Sequence, residues 1–197
     1  MNSMKLGIVL LAAGKSERFG ANKLLADFDG MPMICRPLEA MQAVAAQRRC
    51  AVVGCGEVAA LARAYGCEVI VNDAPQQGQS YSIHLGVSAM EGMDAVLLLV
   101  GDQPRLTGES LACLMDGFLA SDKGMACLRD ETHMGNPAVF CAKYYPALLS
   151  LAGDRGAKGI LRANEEDLLV VSCLYPGELS DADTPDTLDA LRSRVQN

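Results

Sequence analysis

Stretches of apolar residues alternate with amphipathic stretches along the chain. The run at residues 6–11 is continuously apolar, as expected for a strand that is covered on both faces. Similar runs predict strands at residues 50–53, 68–71, 95–100, 124–128, 138–140 and 168–172. The spacing of apolar residues between them predicts helices at residues 32–46, 57–65, 80–90, 107–119, 145–150, 156–163 and 185–195.

This alternation predicts an α/β protein in which a mostly parallel central sheet carries helices on both faces. The length of 197 residues favours one domain over residues 1–197, long enough to bury a sizeable core. In such a sheet, ligands bind outside the carboxyl ends of the strands. Polar segments follow strands at residues 12–23, 101–105 and 180–184, so we expect them to open onto one crevice.

Composition narrows the class of protein further. Half of the residues are hydrophobic, and the net charge is −7 with no run of Lys or Arg, which argues against a nucleic-acid partner. The eight cysteines form no CxxC pair, and most of them are interpreted as small buried residues in a reducing compartment. The apolar run near the N-terminus is too short to span a bilayer. We therefore expect a cytoplasmic protein with no membrane contact.

The loop LAAGKSERFG at residues 11–20, followed by Lys23, is the first candidate site. Small residues let backbone N–H groups approach an anion, and Arg18 and Lys23 add positive charge for a triphosphate. The loop has neither GxxxxGK[ST] nor GxGxxG, which disfavours a P-loop and a nicotinamide dehydrogenase. The alternative is an ordinary strand-to-helix turn with surface cations. The predicted nucleotide-binding residues here are Leu11, Ala12, Ala13, Gly14, Lys15, Ser16, Arg18 and Lys23.

Carboxylates follow the strands at two further points. Asp102 ends the most apolar strand, where a lone charge is costly and Mg²⁺ is the natural compensation. A helix cap is the alternative, but Asp102 lies well before the helix predicted from Thr107. Asp181 or Asp183 could supply a second metal-binding carboxylate, and we assign Asp183. Capping of the last helix by Asp183 or Thr184 is the alternative there.

Three other segments are rich in glycine and polar groups. The segment QGQSYS at residues 77–82 offers hydroxyl and amide groups before a helix, and a plain helix cap is its alternative. The turns MGNP at residues 134–137 and GDRG at residues 153–156 are candidate acceptor-binding loops. His84 and His133 have neither metal-ligand nor Ser-His-Asp spacing.

The motifs taken together resemble a known family. The segment LAAGKSERFGANK resembles the signature LAxGxSxRxGxxK of the molybdenum cofactor nucleotidyltransferases. It is followed in the family's order by QGQSYSIHLGV, GDQP, GNPAVF, GDRGAK and DADTPDTL. Over residues 5–191 the chain resembles the cytidylyltransferase branch, and Ala12-Ala13-Gly14 stands where the guanylyltransferase branch has Ala-Gly-Gly.

The resemblance implies a Rossmann-like nucleotidyltransferase fold and a magnesium-dependent reaction. CMP would pass from CTP to the terminal phosphate of molybdenum-molybdopterin, which forms the molybdopterin cytosine dinucleotide cofactor and releases pyrophosphate. Transient contact with a molybdoenzyme is also implied. The residues assigned to catalysis are Arg18, Lys23 and Asp102, and those assigned to the metal are Asp102 and Asp183. Gly78, Ser80 and Ser82 are assigned to the nucleotide, with Ser80 and Ser82 at the ribose or base. Gly135, Asn136, Pro137 and Arg155 are assigned to the acceptor.

Two departures from the family pattern bear on the acceptor. Asn136 replaces the His of Gly-His-Pro, and residues 180–183 replace a more apolar approach to Asp-Thr-Pro. The alternatives are transfer from GTP or another nucleotide, transfer to another phosphorylated acceptor, and a non-catalytic protein that delivers the finished cofactor.

Overall fold

The structure is a computed structural model that describes residues 4–14 and 19–193. Seven of its strands form one sheet, and two short strands form a separate hairpin. In chain order the strands are β1 Leu6–Ala12, β2 Asp27–Phe28, β3 Met31–Pro32, β4 Arg48–Val53, β5 Glu68–Val71, β6 Ala95–Val100, β7 Met125–Arg129, β8 Met134–Cys141 and β9 Leu168–Ser172.

The sheet order is β5-β4-β1-β6-β8-β7-β9. The pairs β1–β4, β1–β6, β4–β5 and β7–β9 are parallel, whereas β8 is antiparallel to both of its neighbours. The prediction of a mostly parallel sheet is confirmed. The chain winds outward from β1 to β5 and then returns to place β6 on the other side of β1. Such a reversal of winding leaves a crevice at the carboxyl ends of the central strands.

Helices cover both faces of the sheet. In chain order they are α1 Cys35–Ala40, α2 Gly56–Ala64, α3 Gln79–Ser88, α4 Gly108–Ala120, α5 Tyr145–Leu149, α6 Lys158–Ala163 and α7 Pro185–Ser193. Helices α1, α2, α4 and α7 pack into the cluster that contains Ile8 and Leu10. Helices α3, α5 and α6 pack into the cluster that contains Val9 and Leu11. Because successive side chains of β1 enter opposite clusters, its sequence is apolar without interruption.

Two predicted elements are corrected. The helix predicted at residues 32–46 is shorter, since Pro32 belongs to the β2–β3 hairpin and α1 starts at Cys35. The strand predicted at residues 138–140 is longer and begins at Met134. Gly135 to Pro137 suggested a turn, but the β7–β8 register shifts at Cys127 and Leu128 and thereby accommodates these residues within the strand.

None of the described helices is long and apolar enough to cross a membrane.

Candidate functional site

A cavity of about 580 Å³ opens at the carboxyl ends of β1, β5 and β6. The three polar segments that were expected to share a crevice all reach it. The predicted site residues that line this cavity are Leu11, Ala12, Ala13, Gly14, Lys23, Gly78, Ser82, Asp102 and Asp183. The remaining lining residues are Leu24, Asn72, Pro75, Gln76, Gln79, Val100, Gly101 and Asp154.

Pairing between β1 and β6 places the small-residue loop beside Asp102. Leu11 is in register with Val100, and the Gly101 N–H donates to the Leu11 carbonyl at 2.9 Å. A Cβ atom on Gly101 would lie only 2.7 Å from Cδ1 of Ile34, so a larger residue here would displace the end of that side chain. The backbone after β1 and the carboxylate after β6 therefore face the same cavity.

Lys23 lies between two carboxylates. Its Nζ donates to Oδ2 of Asp102 at 2.7 Å and to Oδ1 of Asp183 at 2.9 Å. Burial alone would lower the pKa of this ammonium group, but the two carboxylates outweigh burial and the pKa is raised. Lys23 therefore remains a cation at neutral pH.

Asp183 is held at the cavity by the backbone around it. The Ala182 N–H donates to the Asp102 carbonyl at 2.9 Å, which fixes this segment beside the turn that follows β6. Thr184 and Thr187 cap α7 reciprocally, because each N–H donates to the other's Oγ1, at 2.9 and 3.2 Å. Of the two predicted capping residues, Thr184 therefore performs the role, and the Asp183 side chain lines the cavity.

Asp181, the other candidate metal ligand, has a different partner. Its Oδ1 accepts a hydrogen bond from Nε2 of Gln103 at 3.1 Å. Burial away from water, and then the negative charge of the nearby Asp102 carboxylate, raise the pKa of Asp181. The carboxylates at this end of the cavity therefore repel one another, and Lys23 offsets part of that repulsion.

The donor set fits a divalent cation that is shared with a substrate. Asp102 and Asp183 already converge on one positive charge. Among residues 4–14 and 19–193, no group of three or more His, Cys, Asp or Glu side chains is arranged to hold a metal. Mg²⁺ commonly takes one or two protein carboxylates and completes its shell with water and phosphate oxygens. Two carboxylates at one end of the cavity match that preference.

Asn72 is a lining residue that the sequence analysis missed. It is 3% exposed, and its Nδ2 donates to Oγ of Ser82 at 2.9 Å while its Oδ1 accepts from the Ala74 N–H at 2.9 Å. Asn72 follows β5 directly, so the rule that identified Asp102 would also have identified it. The amide fixes the Ser82 hydroxyl at the wall of the cavity.

The segment before α3 packs against the GDRG turn. The Ser80 N–H donates to the Gly153 carbonyl at 3.1 Å, and a Cβ atom on Gly78 would lie 2.5 Å from the Gly153 backbone. Gly78 also has a φ of +83°, which favours glycine. Helix α3 has no side-chain cap, so the alternative interpretation of this segment as a plain cap is not observed. Ser82 lines the cavity, whereas Ser80 is buried and does not line it.

Other predicted site residues lie elsewhere. Gly135, Asn136 and Pro137 belong to β8 and do not line the cavity, and Arg155 is exposed next to the lining residue Asp154. Their assignment to the acceptor stays a prediction. The predicted residues that fall outside the described part of the chain are Lys15, Ser16 and Arg18.

Residues 8–168 match the MobA-like NTP transferase domain. The chain belongs to this family. A relative from Pyrococcus horikoshii, named a probable molybdenum cofactor guanylyltransferase, is 30% identical over 79% of this chain and 78% of its own. The purine catabolism protein PucB of Bacillus subtilis is 28% identical over 98% of both chains.

Solved structures share the fold of this family member. A nucleotidyl transferase from Methanothermobacter thermautotroptrophicus superposes with a TM-score of 0.82 at 22% identity, over 96% of this chain and 97% of the other. A Mycobacterium tuberculosis protein in complex with manganese superposes with a TM-score of 0.73 at 22% identity, over 96% and 99% of the two chains. The expected nucleotidyltransferase fold is confirmed.

Proposed function

We propose that the protein is a magnesium-dependent enzyme that transfers CMP from CTP to the terminal phosphate of molybdenum-molybdopterin. The observation that carries this proposal is the convergence of Lys23, Asp102 and Asp183 beside the loop of small residues after β1. Such a site provides backbone amides, a fixed cation and two carboxylates within one cavity. Nucleotidyl transfer needs all three, whereas simple cofactor storage does not need the metal-binding carboxylates.

Each group has a distinct task in the proposed reaction. The backbone around Ala12 to Gly14 would bind the phosphates, and Lys23 would stabilise charge on the α-phosphate and the departing pyrophosphate. Asp102 would hold the metal, and Asp183 would hold it directly or through water. Bound Mg²⁺ would supply charge neutralisation on the phosphate oxygens. Arg18 is assigned to the β- and γ-phosphates by resemblance.

The proposed reaction requires no general base. A phosphate acceptor is already anionic at neutral pH and can attack the α-phosphate directly. His84 stacks on Tyr81 with ring centroids 6.5 Å apart, His133 lies in an exposed turn, and neither lines the cavity. Catalysis would therefore depend on positioning and electrostatics.

The choice of CTP rests on Ala13. This residue lines the cavity and is 7% exposed, and we propose that its methyl group crowds a purine where a glycine would not. Ser82, oriented by Asn72, lies on the cavity wall as a second group for the ribose or base. GTP is the second candidate nucleotide, because the relative from Pyrococcus horikoshii is named a guanylyltransferase.

The acceptor proposal has support from the name of one relative and from the motifs. The molybdenum cofactor appears in the name of the Pyrococcus horikoshii relative. The GDRG turn reaches the cavity through Asp154 and contacts Gly78, so the neighbouring Arg155 is well placed to meet an acceptor phosphate that enters from this side. Gly135, Asn136 and Pro137 are proposed to shape the outer part of the acceptor site.

A competition assay tests the proposal. The protein is given equimolar CTP and GTP with Mg²⁺ and molybdopterin acceptor, and products are identified by mass while pyrophosphate is measured. We expect cytosine dinucleotide to dominate, since unmade hydrogen bonds to the wrong base are costly within a site. Ala13→Gly should narrow the preference for CTP over GTP, because it removes the methyl group that is proposed to crowd a purine. Preference for GTP would assign the protein to guanylyl transfer. Cofactor binding without pyrophosphate release would identify a delivery protein.

A further inference from the structure

Asp183 reaches the cavity on a segment that follows the last strand of the sheet. This segment, residues 173–184, connects β9 to α7 and has no regular secondary structure. Leu179 and Ala182 are buried within it, with exposed fractions of 1% and 0%. The segment must hold Asp183 near Asp102 although their carboxylates repel each other. Lys23 and the hydrogen bond from the Ala182 N–H to the Asp102 carbonyl hold the end of the segment at the cavity, and other side chains hold the residues before it.

Glu178 is the principal polar anchor of this segment. It is 1% exposed, and its carboxylate accepts hydrogen bonds from the Thr107 N–H at 2.9 Å, the Thr107 hydroxyl, the Ser110 hydroxyl at 2.6 Å and the Tyr175 N–H at 3.1 Å. Ser110 in turn accepts from the Leu174 N–H at 2.9 Å. Glu178 thus lies at the N-terminus of α4, where a negative charge is favoured by the helix dipole.

Gln103 is the second anchor and follows Asp102 directly. It is 5% exposed, and its Nε2 donates to the Leu179 carbonyl at 3.2 Å and to Asp181 Oδ1 at 3.1 Å. The same short turn therefore carries one metal-binding candidate, Asp102, and a side chain that binds the segment of the other. A neutral amide can do this without adding charge to a site that is already rich in carboxylates.

We propose that Gln103 and Glu178 are positioning residues for the metal–nucleotide site, because they hold residues 179–183 so that Asp183 meets Asp102. This inference rests on the proposed function and extends it to two side chains that do not line the cavity. Partners of metal ligands commonly affect metal affinity about 10- to 100-fold. An anchor that served stability alone would leave metal affinity unchanged in the folded protein.

The test compares Glu178→Gln and Gln103→Met with wild type and with Glu109→Gln. Glu109 is an exposed carboxylate in the first turn of α4 and serves as the matched control. Mn²⁺ binding is measured by electron paramagnetic resonance in the presence of CTP, which requires no turnover. We expect the Mn²⁺ affinity to fall by about 10-fold or more in both variants and to stay unchanged in the control.

Two further measurements separate positioning from plain stability. Hydrogen exchange should become faster in peptides that cover residues 179–184 and stay unchanged in β1. In turnover assays the lost rate should return at high metal concentration while the KM for CTP stays near its wild-type value. Folded variants with wild-type Mn²⁺ affinity would overturn the inference, whatever their thermal stability. If Glu178→Gln does not fold, Gln103→Met decides the question alone.

The outcome does not depend on the proposed reaction. A wild-type protein that binds Mn²⁺ and CTP but releases no pyrophosphate would overturn the proposed function. The positioning inference would then still stand or fall on the Mn²⁺ affinities of the variants.

Discussion

At the scale of single residues, the charge on Lys23 holds the carboxylates of Asp102 and Asp183 together at one end of the cavity. Lys23 is 9% exposed, and its ammonium group contacts two carboxylates, which raise its pKa despite burial. A cation that is buried with its partners is held in one place, and a fixed cation stabilises developing charge more effectively than a mobile one.

Replacement of Lys23 by alanine should lower kcat by about 100-fold or more, since a preorganised charge would be lost from the transition state. KM for the nucleotide should change much less. The measurement is steady-state pyrophosphate release, with Lys123→Ala as the control because Lys123 is half-buried away from the cavity, where it donates to the Glu166 carbonyl. A rise in KM with kcat preserved would show that Lys23 contributes only uniform binding.

Asp102→Asn should also lower the turnover rate by about 100-fold or more while the fold persists. The amide keeps the size of the side chain but loses the charge and turns a donor toward either Lys23 or the metal. Rates are compared at saturating Mg²⁺, and the exposed Asp116 on α4 supplies the control Asp116→Asn. Wild-type turnover in Asp102→Asn would exclude Asp102 as the main metal ligand.

The site residues that could be predicted share a sequence context. Asp102 follows a wholly apolar strand, and Lys23 follows a loop of small residues, so a parallel sheet brings both to one edge. Asn72 has the same context but lacks a charge and a glycine neighbour, and it was overlooked. Gln103 and Glu178 could not be predicted, because their partners lie up to 78 residues away in the chain.

At the scale of elements, Asp167 joins the starts of two strands to a turn. Its carboxylate accepts hydrogen bonds from the Gly124 N–H at 3.0 Å and the Tyr144 hydroxyl at 2.6 Å, and pairs with Lys143 at 2.7 Å. Gly124 precedes β7, and Asp167 precedes β9. These partners lower the pKa of Asp167 to about 2. The ionised form is therefore the one that stabilises the folded protein.

The sign of the pH dependence follows from that lowered pKa. The stabilisation by Asp167 should be complete above about pH 4 and should disappear as the pH falls toward 2. Asp167→Asn should reduce the free energy of unfolding by about 1 kcal/mol at pH 7, since solvent screens part of the interaction. Urea unfolding at pH 7 and pH 3 measures the difference. An equal difference at both values would contradict the assignment.

Elements were predictable where one local signal dominated. Strands β5, β6 and β9 have the predicted bounds, because each is an apolar run with polar residues or glycine at its ends. The β2–β3 hairpin was missed although Asp29 and Gly30 both have positive φ, at 53° and 86°, and Asp-Gly is a strong hairpin signal. Apolar spacing beyond that turn favoured a helix, and pairing of Asp27 with Pro32 overrides it.

At the scale of the whole molecule, one ligand would contact segments that are distant in the sequence. The cavity joins the loop after β1, the turn after β6 and the segment before α7. A ligand that binds only the folded state at about 100 times its Kd adds roughly 2.7 kcal/mol of stability. CTP with Mg²⁺ should therefore raise the melting temperature, and Asp102→Asn should lose the metal-dependent part of this increase.

Thermal unfolding with CTP in the presence of Mg²⁺ or of a chelator measures this effect. CTP alone should stabilise the protein less than CTP with metal, since Asp102 and Asp183 repel the phosphates unless a cation lies between them. Equal stabilisation under both conditions would show that the nucleotide binds without a metal bridge.

The distance along the chain between Lys23 and Asp183 has a consequence for synthesis. These contacting residues are 160 positions apart, and the last strand of the sheet ends at Ser172, before Asp183 has been made. Nascent chains fold from the N-terminus onward. A growing polypeptide can thus assemble its strands before the Asp183 carboxylate has been added to the cavity. If Asp183 is needed for metal binding as proposed, chains that terminate before this residue would lack activity even where the sheet has formed.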